Sequence, residues 1–314
     1  ALALAVDQLL AQIETGFRNG GRIRASLGGA GIALMVAASF VPALLPASAR
    51  YIIGAKTFTE QYVLSALIAE RLQAAGLSST SRAGLGSSVI YDALRNDDID
   101  LYVDYSGTLW LNQFHHSEMP PREALLAALK TELAQQNVTL FGELGFENAY
   151  ALVMPKARAD ALGIHSIADL AAHAAQMTIA GDYEFFSRPE WAALQKTYGL
   201  SFRAQRQMQP DFMYAAVASG EVDVIAGYTS DGLIAKYDLV VLDDVRHAIP
   251  PYDAILLLAP KRANDEPLQA ALKPLLGRID IAAMREANLR ASGNNAESSP
   301  QAVARWLWAM VTKK

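Results

Sequence analysis

Four tyrosines, Tyr105, Tyr150, Tyr228 and Tyr252, and two cationic side chains, Lys56 and Arg188, stand at the ends or entrances of apolar segments. A single tyrosine in such a place is ordinarily a half-buried core residue with its hydroxyl bonded. Four of them at similar places in separate units allow another chemistry. Aromatic faces attract an organic cation through the ring quadrupole, worth roughly 0.5–2 kcal/mol per ring depending on desolvation. A quaternary ammonium has no N–H donors, so a cage of rings can replace its loose hydration. A carboxylate on the same ligand would instead need Arg, Lys and hydroxyl donors.

The elements that would position these groups read as alternating short strands and longer amphipathic helices from residue 51 onward, the pattern of an α/β protein. In "IDLYVDYSGT", Ile99, Leu101 and Val103 alternate with polar positions and then stop at Tyr105, Ser106 and Thr108. Further strands are expected at "YIIGA", "AYALVMP", "MTIAG", "VDVIAGY", "LVVLDD" and "YDAILLLA". Helices are expected after "YIIGA" and at 122–136, 166–175, 189–198, 210–219, 266–275 and 300–311. Open α/β sheets bind ligands beyond the carboxyl ends of their strands. Lys56 follows the first strand, Tyr228 ends "VDVIAGY", and Asp182, Glu184 and Arg188 follow "MTIAG". Tyr252 differs in entering its strand, after Pro250 and Pro251.

Competing chemistries lack their residues. "GAKTFTE" has Gly-x-Lys-Thr, but a phosphate loop needs Gly where Ala55 and Arg50 stand. "GLGSS" at 84–88 is a Gly-rich turn joining strand and helix. His115 and His116 are adjacent and would point apart, and no metal-binding spacing occurs among the five histidines. No serine lies in G-x-S-x-G. There is no cysteine, which excludes disulfides and thiolate metal sites. The sequence offers no enzyme site and no cofactor motif. A net charge of -5 with pI about 5.6 gives no basic footprint for nucleic acid.

Mean hydropathy is +0.14 with 52% hydrophobic residues, and the excess lies near the start of the chain. No charge occurs between Arg24 and Arg50. At about 1.5 Å per residue, residues 25–49 exceed the roughly 30 Å hydrocarbon core. Arg18, Arg22 and Arg24 precede the run and place residue 51 onward outside the membrane. "ASA" at 47–49 would suit signal cleavage. The length of the run and the amphipathic "ALALAVDQLLAQIETGF" upstream favour a retained transmembrane helix at 25–49 over a signal segment.

Residues 51–314 resemble the extracytoplasmic binding proteins of ABC transporters for glycine betaine, choline and carnitine. "IGAKTFTEQYVL" resembles that family's opening strand-helix unit, and "DLYVDYSGT" its Glu-Tyr-Thr-Gly-Thr turn. "ENAYALVM", "EFFSR", "GEVDVIAGYTSDGLI" and "LDDVRHAIPPYDA" resemble its later segments, in order. The resemblance implies a type II bilobal periplasmic-binding-protein fold with two α/β lobes joined by two crossovers. The first lobe is expected over 51–152 plus 250–314 and the second over 153–249, with Tyr150 at the hinge. It also implies an ammonium cage of Tyr105, Tyr150, Tyr228 and Tyr252, with Lys56, Thr108 and Arg188 toward a carboxylate. Asp104 and Ser106 stand where the family has Glu and Thr, and "PEW" follows Arg188 where Asp-Gly is usual. The implied partners are a permease and a separate ATPase subunit. Residues 1–24 resemble the tail of a permease fused ahead of its binding domain, and the start without Met fits a piece of a longer chain. A bulkier betaine such as ergothioneine, or a membrane-tethered sensor, remain the other readings.

Overall fold

The structure is a computed structural model that describes residues 2–18, 26–27, 29–32, 51–293 and 295–313. The chain divides into two units, Ala1–Ala49 and Arg50–Lys314. In the first, α1 (Leu2–Arg18) is formed by the amphipathic opening stretch. Among the described residues no helix is long and apolar enough to cross a membrane. The expected transmembrane helix at 25–49 falls mostly outside the described residues.

The second unit opens with β1 (Tyr51–Lys56), α2 (Thr59–Ala74), β2 (Ser79–Leu85), α3 (Ser87–Arg95) and β3 (Leu101–Tyr105). A helical turn, Ser106–Thr108, then runs into a π-helical segment, Leu109–Gln113, before α4 (Arg122–Gln135) and β4 (Thr139–Glu147). Next come β5 (Tyr150–Pro155), α5 (Lys156–Leu162), α6 (Ile167–Ala171), β6 (Thr178–Gly181), α7 (Pro189–Tyr198) and β7 (Ala204–Gln207). They are followed by α8 (Pro210–Ser219), β8 (Val224–Tyr228), α9 (Leu233–Lys236) and β9 (Leu239–Val241). The chain finishes with β10 (Asp253–Leu258), α10 (Glu266–Leu272), α11 (Ile281–Ala291) and α12 (Pro300–Thr312).

Two mixed sheets result, ordered β2-β1-β3-β10-β4 and β7-β6-β8-β5-β9. In each, the central strands carry helices on both faces, which is why β1 and β8 read as nearly continuous apolar runs, whereas the parallel edge strands β2 and β7 are mostly exposed. On one face of the first sheet, Leu64, Leu67 and Leu72 of α2 pack with Met284 of α11 and Leu307 of α12. On the other, Ile90 and Leu94 of α3 meet Leu125, Leu129 and Leu133 of α4. The second sheet is sandwiched between Leu170, Trp191 and Leu194 on one side and Met213, Tyr214 and Val217 on the other.

The chain crosses between the sheets twice, at Asn148–Ala149 and between β9 and β10. The crossovers lie side by side, since the Asn148 N–H donates to the Tyr252 carbonyl at 3.0 Å. The expected first lobe ran to residue 152, but Tyr150, Ala151 and Leu152 belong to the second sheet. They pair antiparallel with Tyr228, Gly227 and Ala226, so backbone ladder bonds hold the whole of β5 there.

Candidate functional site

The carboxyl ends of β1, β3, β6 and β8 face a cleft of about 560 Å³ between the sheets. Lys56, Tyr105, Thr108, Tyr150, Arg188, Tyr228 and Tyr252 all line it. Every residue expected at the site is thus brought to one place, from segments far apart in the chain.

Tyr150 and Tyr228 are register partners across β5 and β8. Their rings lie 4.7 Å apart at 34°. Both hydroxyls donate to Asp182 Oδ2, at 3.2 and 3.0 Å. Asp182 Oδ1 accepts from the N–H groups of Glu184 and Phe185, both at 2.8 Å, so the turn after β6 fixes the carboxylate that fixes the rings. Burial above all raises the pKa of both phenols, so they stay protonated donors. Donation to a carboxylate also leaves each ring more electron-rich, which strengthens its face as a cation partner.

Tyr105 faces them from the first lobe. Its hydroxyl donates to Glu60 Oε1 and accepts from Gln61 Nε2 at 3.2 Å. Phe58 stacks beside it, with centroids 6.2 Å apart at 29°. Glu60 is buried and has no cationic partner among the described residues, and desolvation raises its pKa despite the hydrogen bonds that oppose the shift. It also accepts from Asn148 at 3.1 Å and Asn288 at 2.7 Å, tying the ring to the first crossover and to α11.

Tyr252 packs over Gly107, where an added Cβ would lie 2.7 Å from the ring. That contact requires glycine in the helical turn after β3. Ser106 Oγ accepts from the Asp253 N–H and donates to the Pro251 carbonyl, both at 2.9 Å, clamping the turn to the second crossover. The Tyr252 hydroxyl reaches across to Glu190 of α7, so this bond joins the two lobes. Its pKa is raised by burial and then by the Glu190 carboxylate.

The cations are not free. Lys56 is buried against Asp104, whose other oxygen accepts from the Tyr102 hydroxyl at 2.6 Å. Arg188 sits 5.2 Å from the Tyr150 ring centroid and pairs with Glu184 and Glu190, both at 3.3 Å. The "PEW" that follows Arg188 therefore supplies its buried partner. Sequence reasoning missed Glu60 and Glu190. Each is an acidic residue in the first turn of a helix, next to or near a site residue, where the helix N-terminus favours negative charge.

Two α/β lobes joined by two crossovers, with an aromatic cleft between them, define a substrate-binding protein of the two-lobed kind. The chain belongs to the family described as the substrate binding domain of ABC-type glycine betaine transport systems, which matches residues 49–309. It is similar to the glycine-betaine-binding protein of Pseudomonas aeruginosa, with 32% identity over 80% of this chain and 85% of that one. It is also similar to an ergothioneine transport permease/ergothioneine binding protein, EgtU, of Helicobacter pylori, with 26% identity over 81% of this chain but only 46% of that one. A crystal structure of a glycine betaine/carnitine/choline ABC transporter superposes with a TM-score of 0.77 at 27% identity, covering 83% of this chain and 98% of that one. Proteins of this family are substrate-binding receptors rather than enzymes, and those of ABC importers are extracytoplasmic.

Proposed function

We propose that this protein captures a quaternary ammonium compound, such as glycine betaine, choline or carnitine, and delivers it to a membrane permease driven by a separate ATPase subunit. Tyr105, Tyr150, Tyr228 and Tyr252 form the ammonium cage, and Lys56, Thr108 and Arg188 face the remainder of the ligand. The observation that carries this reading is the meeting of four phenol rings from two lobes around one cleft. Because the rings belong to both lobes, a ligand touching all of them binds the closed state better than the open one. Only that difference in affinity can drive closure. Residues 25–49 act as a membrane tether, and residues 1–24 as the end of a fused permease.

A second ligand, ergothioneine, is favoured by one observation, the similarity to the Helicobacter pylori protein. Ergothioneine pairs a trimethylammonium with a carboxylate on a bulkier ring. Calorimetric titration with glycine betaine, choline, carnitine and ergothioneine tests both readings. Saturable binding of at least one is expected, and heat from none of the four would refute the cage.

A further inference from the structure

A hydrogen-bond network outside the cleft carries an inference about how ring and lobe are joined, and it rests on the reading of Tyr105 as a cage ring. Glu60 is 3% exposed and is not among the residues lining the cleft. Its Oε1 accepts from the Tyr105 hydroxyl and from Asn148 Nδ2, and its Oε2 from Asn288 Nδ2. Ser230 of the second lobe adds a further hydrogen bond. One carboxyl group thus meets the end of β3, the first crossover, α11 and the other lobe. The amide oxygens of Asn148 and Asn288 are buried with no hydrogen-bond partner among the described residues. An unmade buried acceptor is costly, so Glu60 is the group that turns both amide nitrogens toward itself.

The same side chains hold a seam between the lobes. Asn288 Nδ2 also donates to the Ser230 carbonyl at 2.8 Å, and Arg285 Nε to the Thr229 carbonyl at 2.6 Å. Thr229 and Ser230 directly follow Tyr228, so α11 of the first lobe grips the turn that ends β8. Gly232 lets the two backbones meet. A Cβ there would lie 2.6 Å from the Arg285 carbonyl oxygen and 2.7 Å from the Leu289 Cα, and backbone atoms cannot turn aside as a side chain can. The second lobe therefore rests on α11 as well as on the two crossovers.

We propose that Glu60 is a positioning residue for ligand capture: it couples the seating of the Tyr105 ring to the seam between α11 and the second lobe, so that loosening either loosens the other. Tyr105 and Asn288 bond the same carboxyl group through its two different oxygens. A shift of the second lobe against α11 moves Asn288, and Glu60 passes the shift to the ring. Glu60 acts through Tyr105 and does not itself touch the ligand.

The test is a double-mutant cycle of Tyr105→Phe and Asn288→Ala, run in the wild-type background and again in Glu60→Gln. Calorimetry is run with glycine betaine, choline, carnitine and ergothioneine, and the tightest binder of the four serves as probe throughout. In the wild-type background each single change should raise Kd about fivefold, a coupling of ordinary size within one hydrogen-bond network. Together they should cost little more than either alone, because each breaks the same link. In Glu60→Gln the link is already broken, and neither change should add to the loss. A residue that only supported the fold would lower the melting temperature without producing this pattern. Losses that multiply in the wild-type background, or a pattern unchanged by Glu60→Gln, overturn the inference. Binding of none of the four by the wild-type protein would instead overturn the functional reading beneath it. Should Glu60→Gln fail to fold, Gly232→Ala breaks the seam from the second lobe, and Tyr105→Phe should then cost nothing further. An undiminished cost in that background would refute the coupling.

Discussion

Tyr150 and Tyr228 are directly opposed across an antiparallel pair of strands, with their hydroxyls 3.1 Å apart and both directed at Asp182. Two of the four cleft-lining rings are therefore set by backbone register, which a local side-chain movement does not alter. Tyr105 and Tyr252 come from the other side of the crossovers, and Tyr252 already bonds Glu190 of the second lobe. Ring placement and lobe closure are thus coupled.

Removing a ring should weaken every trimethylammonium ligand alike. Tyr228→Ala and Tyr105→Ala are each expected to raise Kd roughly two- to thirtyfold, the cation–π contribution of one ring. Tyr228→Phe keeps the face but loses the bond to Asp182, so its loss should be smaller. An alanine variant with an unchanged Kd would remove that ring from the cage.

Arg188→Ala should separate ligand classes. Glycine betaine and carnitine lose their guanidinium and should weaken, whereas choline should hold its affinity or gain, since Glu190 is then left without its cation. Calorimetry with the three ligands decides the matter. Equal losses for choline and glycine betaine would refute the role given to Arg188.

Gly107→Ala probes the turn after β3. The new methyl would fall 2.7 Å from the Tyr252 ring, closer than side chains approach, and the ring has to move. Affinity for all ligands should drop by roughly two- to thirtyfold, as for loss of a ring. Wild-type affinity with this substitution would show that the position of Tyr252 is not critical.

Asp253 should make folding stability depend on acidity. Burial pushes its carboxyl up to about 6 from 3.8, and the Arg122 guanidinium offsets only part of the shift. The folded chain holds this proton between about pH 4 and 6, where the unfolded chain releases it. The resulting stability is full below pH 4 and is lost as pH rises through about 6. In denaturant titrations the stability of the wild type relative to Asp253→Asn should fall by roughly 2–3 kcal/mol from pH 4 to pH 7. A constant difference over that range would contradict the raised value.

Much of this arrangement was legible in the sequence. The buried strands β1, β3, β8 and β10 announce themselves by apolar runs, and the helices at 122–135, 189–198 and 210–219 by their periodicity and their Pro and Gly boundaries. β2 and β7 did not. They are edge strands with mostly exposed side chains, so hydrophobic patterning has nothing to mark. β4 contains Gly142 and Gly145 and is only partly buried, which breaks its alternation.

The sequence by itself determined the chemical types at the site and their place at strand ends, because a strand's apolar pattern stops where its cleft-lining turn begins. The two lobes were implied by the resemblance to the binding-protein family rather than by any local pattern. Only the tertiary structure decided which carboxylate each cation meets, that β5 lies wholly in the second lobe, and that Glu60 and Glu190 are buried. Those outcomes depend on contacts between residues tens to hundreds of positions apart, such as Glu60 with Asn288 and Tyr252 with Glu190, which no local pattern encodes.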